Sequence, residues 1–503
     1  MKKLIKSRPI YSAMVLTTIL VASSCNSFLD INVNPTLQKD DTKIPLVLTS
    51  SISSLAFYMG SDAYLYSSIF TQQSCGQGTG TQTRFFDQYV LTNTDVNNAF
   101  TNFYSGTLAD LNYIRQKAPA QGNPQTAGIA KIAEAYTYGI LVDLWGDVPY
   151  SDAVKGLTDL HPKYDQSQTI YDSLFVLINS GITDLGKTNQ IKVGAEDLIY
   201  GGDISKWKKF ANTLKLRLAL HYAKVDGGTM LKTVITDASS AGGFMAANTD
   251  NFQLAFDNVT NRQNPITQFE ISRADYDFPG AFFVNLMNAK SDPRRPFYFT
   301  SYPASAAPYT STGTYKGAVS SDATSVAYSR IHTYLRGALL SDDGTRTGSG
   351  IKAGAITYDG KAPIRMLTFA EYNFIMAEAI LSYGVTVTGK TVDDFYKAGI
   401  TASMQDAGVD AASITTYTSA LATATLKTII EEKYVASYGV SVEPWTDWRR
   451  TGFPAISVSP AAITQGNTAI PRILVYPLIE QQANPSNVPD RASMVVSGVF
   501  WDK

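Results

Sequence analysis

The sequence predicts a mainly α-helical protein built from tetratricopeptide-like helix pairs and interrupted by one large loop-rich insertion. Two observations carry this expectation. Several long stretches place apolar residues at helical spacing, and between them lies a segment dominated by Asn, Ser, Thr, Gly, Pro and aromatics. No strict repeat period is visible, so one helical body with large loops fits better than a regular solenoid. The 503 residues are ample for a buried core. Apolar residues at 44% and charged residues at 17% match a folded chain, not a disordered one.

The first thirty residues read as targeting. Lys2, Lys3, Lys6 and Arg8 give a positive start, Ile10 to Ala22 is a short apolar stretch, and Ser23-Ser24 precede Cys25. The apolar part is too short to span a bilayer comfortably. A cysteine directly after small residues is the arrangement that bacterial lipoprotein processing recognises. Residues 1–24 are therefore expected to be a lipoprotein signal peptide, with Cys25 acylated. The alternative is an ordinary secretory signal with an incidental cysteine. Each buried methylene contributes about 0.8 kcal/mol, and two or more acyl chains anchor stably where one does not. Removing four basic residues and no acidic ones from 42 and 43 leaves 38 against 43, a net charge near −5. No later eighteen-residue apolar run is read as a membrane span. Residues 25–43, with Asn34-Pro35 and no periodicity, read as a tether.

Residues 44–503 are expected to form one domain. Its helical scaffold covers about 44–241 and 362–456, the loop-rich region about 242–361, and a second loop-rich part 457–503. Helices are predicted in PLVLTSSISSLAFYMG, over Asp62 to Thr71, and over Asn93 to Lys117 with Thr92 or Thr94 as cap. Further helices are predicted over Pro124 to Leu144, Ser167 to Leu185, Ile204 to Val225 and Thr229 to Ser239. Helices return in FAEYNFIMAEAILSYG, VDDFYKAGITASMQDAG and SALATATLKTIIEEKYVASYG.

Smaller motifs carry local expectations. Gly146 is placed to end a helix, with Asp147 bonding nearby amides and Pro149 preventing resumption. Trp207, Phe210, Leu214 and Leu218 form a core stripe, with Lys206, Lys209 and Lys215 elsewhere. Glu371 and Glu378 are expected to be buried and paired with Arg365 or Arg449. Glu443 and Asp447 share a face that Arg449-Arg450 neutralise.

Composition narrows the function. Lys+Arg at 42 and Asp+Glu at 43, with no long basic run, give no footprint for nucleic acid. Two cysteines and three distant histidines (His161, His221, His332) offer no metal cluster, and no cofactor motif appears. Cys75, in QQSCGQGTGTQ, reads as a buried thiol. No carboxylate pair stands in a glycosidase-like context, and no serine–histidine setting is recognisable, so an enzyme is not expected. Asp342-Asp343-Gly344 reads as a turn and not a calcium loop.

Eight segments in order then point to one family. They are NSFLDINVNP after the cysteine, LVDLWGDVPYSDA, LIYGGDISKWKKFANTLKLRLAL, SDPRRPFYF, LTFAEYNFIMAEAI, YKAGITASM, EEKYVASYGVSVEPWTDWRRTGFP and IPRILVYPLIEQQANPSN. Together they resemble the SusD/RagB outer-membrane lipoproteins of Bacteroidota, from Cys25 nearly to the end. The resemblance implies a helical fold with a variable loop region. It also implies a non-enzymatic lid, facing the cell exterior, over a SusC-like TonB-dependent barrel. Such a lid captures an oligosaccharide, or sometimes a peptide, for import. A structural lid with little binding of its own and a lipid-anchored hydrolase are the other readings.

Sugar recognition needs aromatic rings for C–H faces and polar groups for hydroxyls. With 29 Tyr against 5 Trp, tyrosine is the available ring. Two loop-rich stretches supply both types. Gln72 to Tyr89 offers Gln73, Arg84, Phe85, Phe86 and Tyr89, and Arg273 to Tyr309 offers Tyr276, Phe278, Tyr302 and Tyr309.

Overall fold

Helices with one apolar face must bury it, and here successive helices bury it against one another. The computed structural model describes residues 43–502 except Ser239, Ala323 and Ala492. The signal segment, Cys25 and the tether up to Thr42 lie outside the described residues. The first part of the scaffold comprises α1 (Ile44–Met59), α2 (Asp62–Phe70), α3 (Gln82–Asp87), α4 (Asn97–Asn102), α5 (Ala109–Lys117), α6 (Pro124–Trp145), α7 (Ser167–Leu185), α8 (Ile204–Asp226) and α9 (Thr229–Ala238). The loop-rich region carries α10 (Pro265–Ser272), α11 (Ala281–Ala289), α12 (Arg295–Tyr298) and α13 (Thr333–Arg336). The scaffold resumes with α14 (Phe369–Tyr383), α15 (Val392–Ala407), α16 (Ala411–Ser419), α17 (Leu426–Ala436) and α18 (Glu443–Thr451). Two short helices, α19 (Pro460–Ile463) and α20 (Leu478–Ala483), lie in the C-terminal part.

The fold is mainly α, as expected. Helix α5 packs on α6, α6 on α7, α8 on α9, and α14 on both α15 and α17. One set of contiguous buried apolar side chains runs from Ile44 to Trp501. Strands β1 (Ser74–Gly76), β2 (Phe252–Leu254), β3 (Asp277–Pro279) and β4 (Ile364–Leu367) hook the loop-rich region to the scaffold. They do so as two antiparallel ribbons, β1 with β3 and β2 with β4.

Local sequence sets the helix ends. Pro124 opens α6, and Gly146 closes it at φ +75°, where a Cβ would lie 2.0 Å from the Gly498 carbonyl. The Asp147 carboxylate accepts from the Ser167 amide at 2.7 Å, which ties the turn to α7. Asp203 caps α8, and a Thr391–Asp394 capping box opens α15.

Several expectations need correction. The helix predicted from Asn93 begins at Asn97, and neither Thr92 nor Thr94 caps it. The Asp95 carboxylate accepts from the Thr92 amide at 2.7 Å and holds a turn there instead. The single helix predicted over SALATATLK begins only at Leu426, where Thr425 and Thr428 form the cap, and α16 ends before it. Ser and Thr side chains bond their own backbone and so favour caps over helix interiors. Trp207, Phe210, Leu214 and Leu218 are buried as the stripe predicts. Lys215 is buried too, and its Nζ donates to Asn179 Oδ1 at 2.8 Å. Ile44–Phe70 is apolar and long enough to cross a membrane by composition alone. It is two helices broken at Gly60-Ser61, and Val47, Leu48, Ile52 and Leu55 enter the core.

The buried acids have other partners than predicted. Glu371 receives both Nε and Nη2 of Arg217 at 2.6 Å, and Glu378 receives Arg450 at 2.9 Å. Arg365 pairs with Asp406 and stacks 3.9 Å from the Tyr334 ring, while Arg449 lies over Trp445 and Trp501. Glu443 and Asp447 do share a face, and Arg450 pairs with Asp447 at 2.7 Å as expected, while Lys433 additionally bridges the two acids at 2.7 and 2.8 Å. These partners are far apart in the chain, so helical spacing within one segment does not reveal them.

Candidate functional site

Helix α1 turns one stripe into the core and leaves Phe57, off that stripe, 40% exposed. Beside it runs α10, whose position is fixed by Asn264. Its Oδ1 accepts from the Ile266 and Thr267 amides, and its Nδ2 donates to the Ala362 carbonyl. Two hollows of about 460 and 520 Å³ flank Phe57. They share Phe57, Asn261, Gln263 and Gln268 and so form one groove.

The groove combines rings with neutral amides. Phe57 stands edge-on to Tyr58 at 6.2 Å, and Phe269 lies under Arg273 at 5.5 Å. Gln82 at the start of α3 and Asn98 on α4 complete the amide set. Gln268 Nε2 donates to the Gln263 backbone carbonyl at 2.5 Å, which positions the Gln268 side chain. Asp62 is the half-buried acid of the wall. Burial pushes its carboxyl up to about 6, with Arg273 working against that rise. Rings facing solvent and amides that both donate and accept suit a ligand with apolar faces and many hydroxyls.

The comparisons agree with this fold. The family profile described as "SusD-like_2: Starch-binding associating with outer membrane" matches residues 38–477. The chain belongs to the SusD/RagB family. Among solved structures, a chitin-binding protein is 25% identical at a TM-score of 0.72, over 88% of this chain and 95% of that one. A chitin-binding SusD homologue from Flavobacterium johnsoniae is 20% identical at 0.71, over 91% and 97%. A SusD homologue from Bacteroides uniformis is 21% identical at 0.69, over 92% and 100%. No curated protein matches the sequence significantly. The SusD/RagB profile thus associates the family with starch binding and the outer membrane.

Within this SusD/RagB fold the predicted ligand residues divide. Gln73, Phe86, Tyr89 and Phe278 are buried, which corrects their reading as ligand contacts. Gln73 Nε2 donates to the Tyr434 carbonyl at 2.7 Å, and Phe86 packs on Tyr66 at 5.2 Å. The Tyr89 hydroxyl accepts from the Ser459 amide at 3.2 Å, and Phe278 lies under Arg330 at 5.1 Å. Arg84 binds the Ser320 carbonyl. Phe85 is exposed on α3, and Tyr276 meets Phe269 edge-on at 6.5 Å. Tyr302 stacks under Lys316 at 5.0 Å, and the Tyr309 hydroxyl accepts from the Ser301 amide at 2.9 Å. Neither tyrosine lines the groove.

The sequence reading missed Phe57, Asn261, Gln263, Gln268 and Phe269. Signals for them existed. Phe57 falls outside the inward series of α1, and NVTNRQNPITQF is dense in amides. Cys75 is buried as expected, and burial pushes its thiol up beside Asp87.

Proposed function

We propose that the groove between α1 and α10 holds an oligosaccharide. The observation that carries this reading is the pairing of an exposed ring, Phe57, with amide side chains from three separate elements. Pyranose C–H faces rest on Phe57 and Phe269, and Gln82, Asn98, Asn261 and Gln263 bond the hydroxyls. Tyr276, edge-on to Phe269, extends the aromatic surface. Family membership and the chitin-binding character of two structural neighbours support a glycan-binding role in nutrient uptake.

In the full proposal the protein is a binder and not an enzyme. It is tethered through an acylated Cys25 at the outer membrane, faces outward, and delivers its ligand to a SusC-like TonB-dependent barrel. Two experiments test it. Isothermal calorimetry with the mature protein against glycans and oligopeptides is expected to give heat with a glycan and to lose it in Phe57→Ala. Heat with oligopeptides alone, or with nothing, rejects the glycan reading. Radiolabelled palmitate is expected to enter the wild-type chain and not Cys25→Ala; equal labelling of both rejects the anchor.

A further inference from the structure

Behind α10 lies a third hollow of about 420 Å³, which meets the groove at Ile271. Its lining includes Glu270, Arg330, Arg336 and Tyr358, with Ile271, Ile351 and Ile356 as apolar wall. Arg330 is satisfied: its Nε donates to the Ile351 carbonyl at 2.8 Å, and its Nη2 holds Asp275. Arg336 differs. Its guanidinium stacks 4.1 Å from the Tyr358 ring, and its nearest acid, Glu270, stays 3.9 Å away. Among the described residues, Arg336 Nε and Glu270 Oε1 are buried without a hydrogen-bond partner. The two residues are 8% and 6% exposed.

A buried unmatched donor beside a buried unmatched acceptor marks a place built for something that supplies both. A carboxylate or sulfate satisfies Arg336 but is set against the Glu270 oxygens. A hydroxyl supplies both bonds but leaves the three isoleucines uncovered. A secondary amide ending in a methyl group meets every requirement. Its carbonyl accepts from Arg336, its N–H donates to Glu270, and its methyl rests on Ile271, Ile351 and Ile356. A peptide bond has the same donor and acceptor, but its chain must re-emerge from beside two residues more than nine-tenths buried. A side branch need not.

We propose that this hollow is a subsite for the acetamido group of an N-acetylated amino sugar whose ring lies in the neighbouring groove. The proposal rests on the glycan reading above and adds its substituent. Arg336 and Glu270 are the specificity-determining pair, and Ile271 is the ridge over which the substituent passes.

Calorimetry with triacetylchitotriose, its fully deacetylated trimer and cellotriose tests this, because the three share a backbone and differ at one substituent. The wild-type protein is expected to bind the acetylated trimer at least tenfold more tightly than either of the others. Arg336→Leu is expected to abolish that preference. Since Arg336 is buried, a second variant guards against misfolding. Ala353→Phe fills the hollow from a half-exposed loop position and is expected to remove the preference with an unchanged thermal midpoint. Equal affinity for all three trimers, or an undiminished preference in Ala353→Phe, overturns the subsite and leaves the glycan reading standing. Heat with no glycan in a wider panel overturns both.

Discussion

Arg217 and Arg336 are both buried arginines beside a glutamate, and only the first is matched. Arg217 reaches Glu371 twice at 2.6 Å and the Met366 carbonyl at 2.8 Å. Arg336 stops 3.9 Å from Glu270 and leaves Nε unbonded among the described residues. The first pair joins α8 to α14 in the scaffold; the second links α10 and α13 in the loop-rich region. Burial alone therefore does not separate architecture from function. What separates them is whether the buried groups satisfy one another or face a hollow. In the scaffold, charge holds helices in register. In the loop-rich region, the same residue types border a hollow with two of their buried polar atoms unmatched among the described residues.

The largest effect should come from breaking the matched pair. Glu371→Ala leaves the Arg217 guanidinium buried without its carboxylate, and losing one partner of a buried pair costs about 3–5 kcal/mol. Chemical denaturation should show that loss directly. Glu270→Ala, the same change beside Arg336, should cost far less stability. Equal losses would erase the distinction between the two arginines.

The next contrast is in pH. Burial acts to raise the Glu432 carboxyl, but Arg294 at 2.7 Å and Lys290 at 2.9 Å outweigh it and hold the group down to about 2, from 4.5. A depressed carboxylate contributes stability above its unfolded value and loses it as pH falls through the folded one. The thermal midpoint should therefore drop as pH falls from about 4.5 toward 2. Glu432→Gln should lower the midpoint at pH 6 and flatten that drop. Asp62 in the groove wall behaves in reverse, because burial raises it to about 6. It opposes folding increasingly as pH climbs from 3.8 to 6, so Asp62→Asn should stabilise the protein above pH 6 and change little below 4. An acid transition that is identical in Glu432→Gln would show that other carboxylates set it.

These contrasts also explain what was legible in the sequence. Helices such as Ser167–Leu185 could be read because their apolar periodicity lies within one segment. The Trp207 stripe and the Gly146 turn were readable for the same reason. The partners of Glu371 and Glu378 were not, because they come from helices 154 and 72 residues away. The ligand stretches divide. Gln82 and Arg273 from those stretches line the groove, yet Gln73, Phe86, Tyr89 and Phe278 turn inward. Neighbours on a short helix, such as Phe85 and Phe86, face opposite ways, and composition cannot tell which one faces water. Phe57 was hidden inside a segment whose other large apolar residues are mostly core.

That adjacency gives a third test. Phe86→Leu should lower stability by up to about 1.5 kcal/mol and leave glycan affinity unchanged. Phe57→Ala should weaken glycan binding tenfold or more, about 1.4 kcal/mol, and shift the thermal midpoint little. Calorimetry and melting on both variants place each ring on one side of the divide. A binding loss in Phe86→Leu with none in Phe57→Ala would move the site away from the groove.

The smallest effect should come from a single amide. Gln263 lines both hollows, and its backbone carbonyl already holds Gln268. Removing its side chain leaves that backbone bond in place, so folding should be unaffected. One neutral hydrogen bond contributes about 0.5–1.5 kcal/mol, so Gln263→Ala should weaken glycan binding by about three- to tenfold. Gln263→Glu keeps the length and one acceptor but loses the donors, and should recover only part of the affinity. If Gln263→Ala binds as tightly as wild type while Phe57→Ala does not, the ring holds the ligand and the amides serve only to shape the wall.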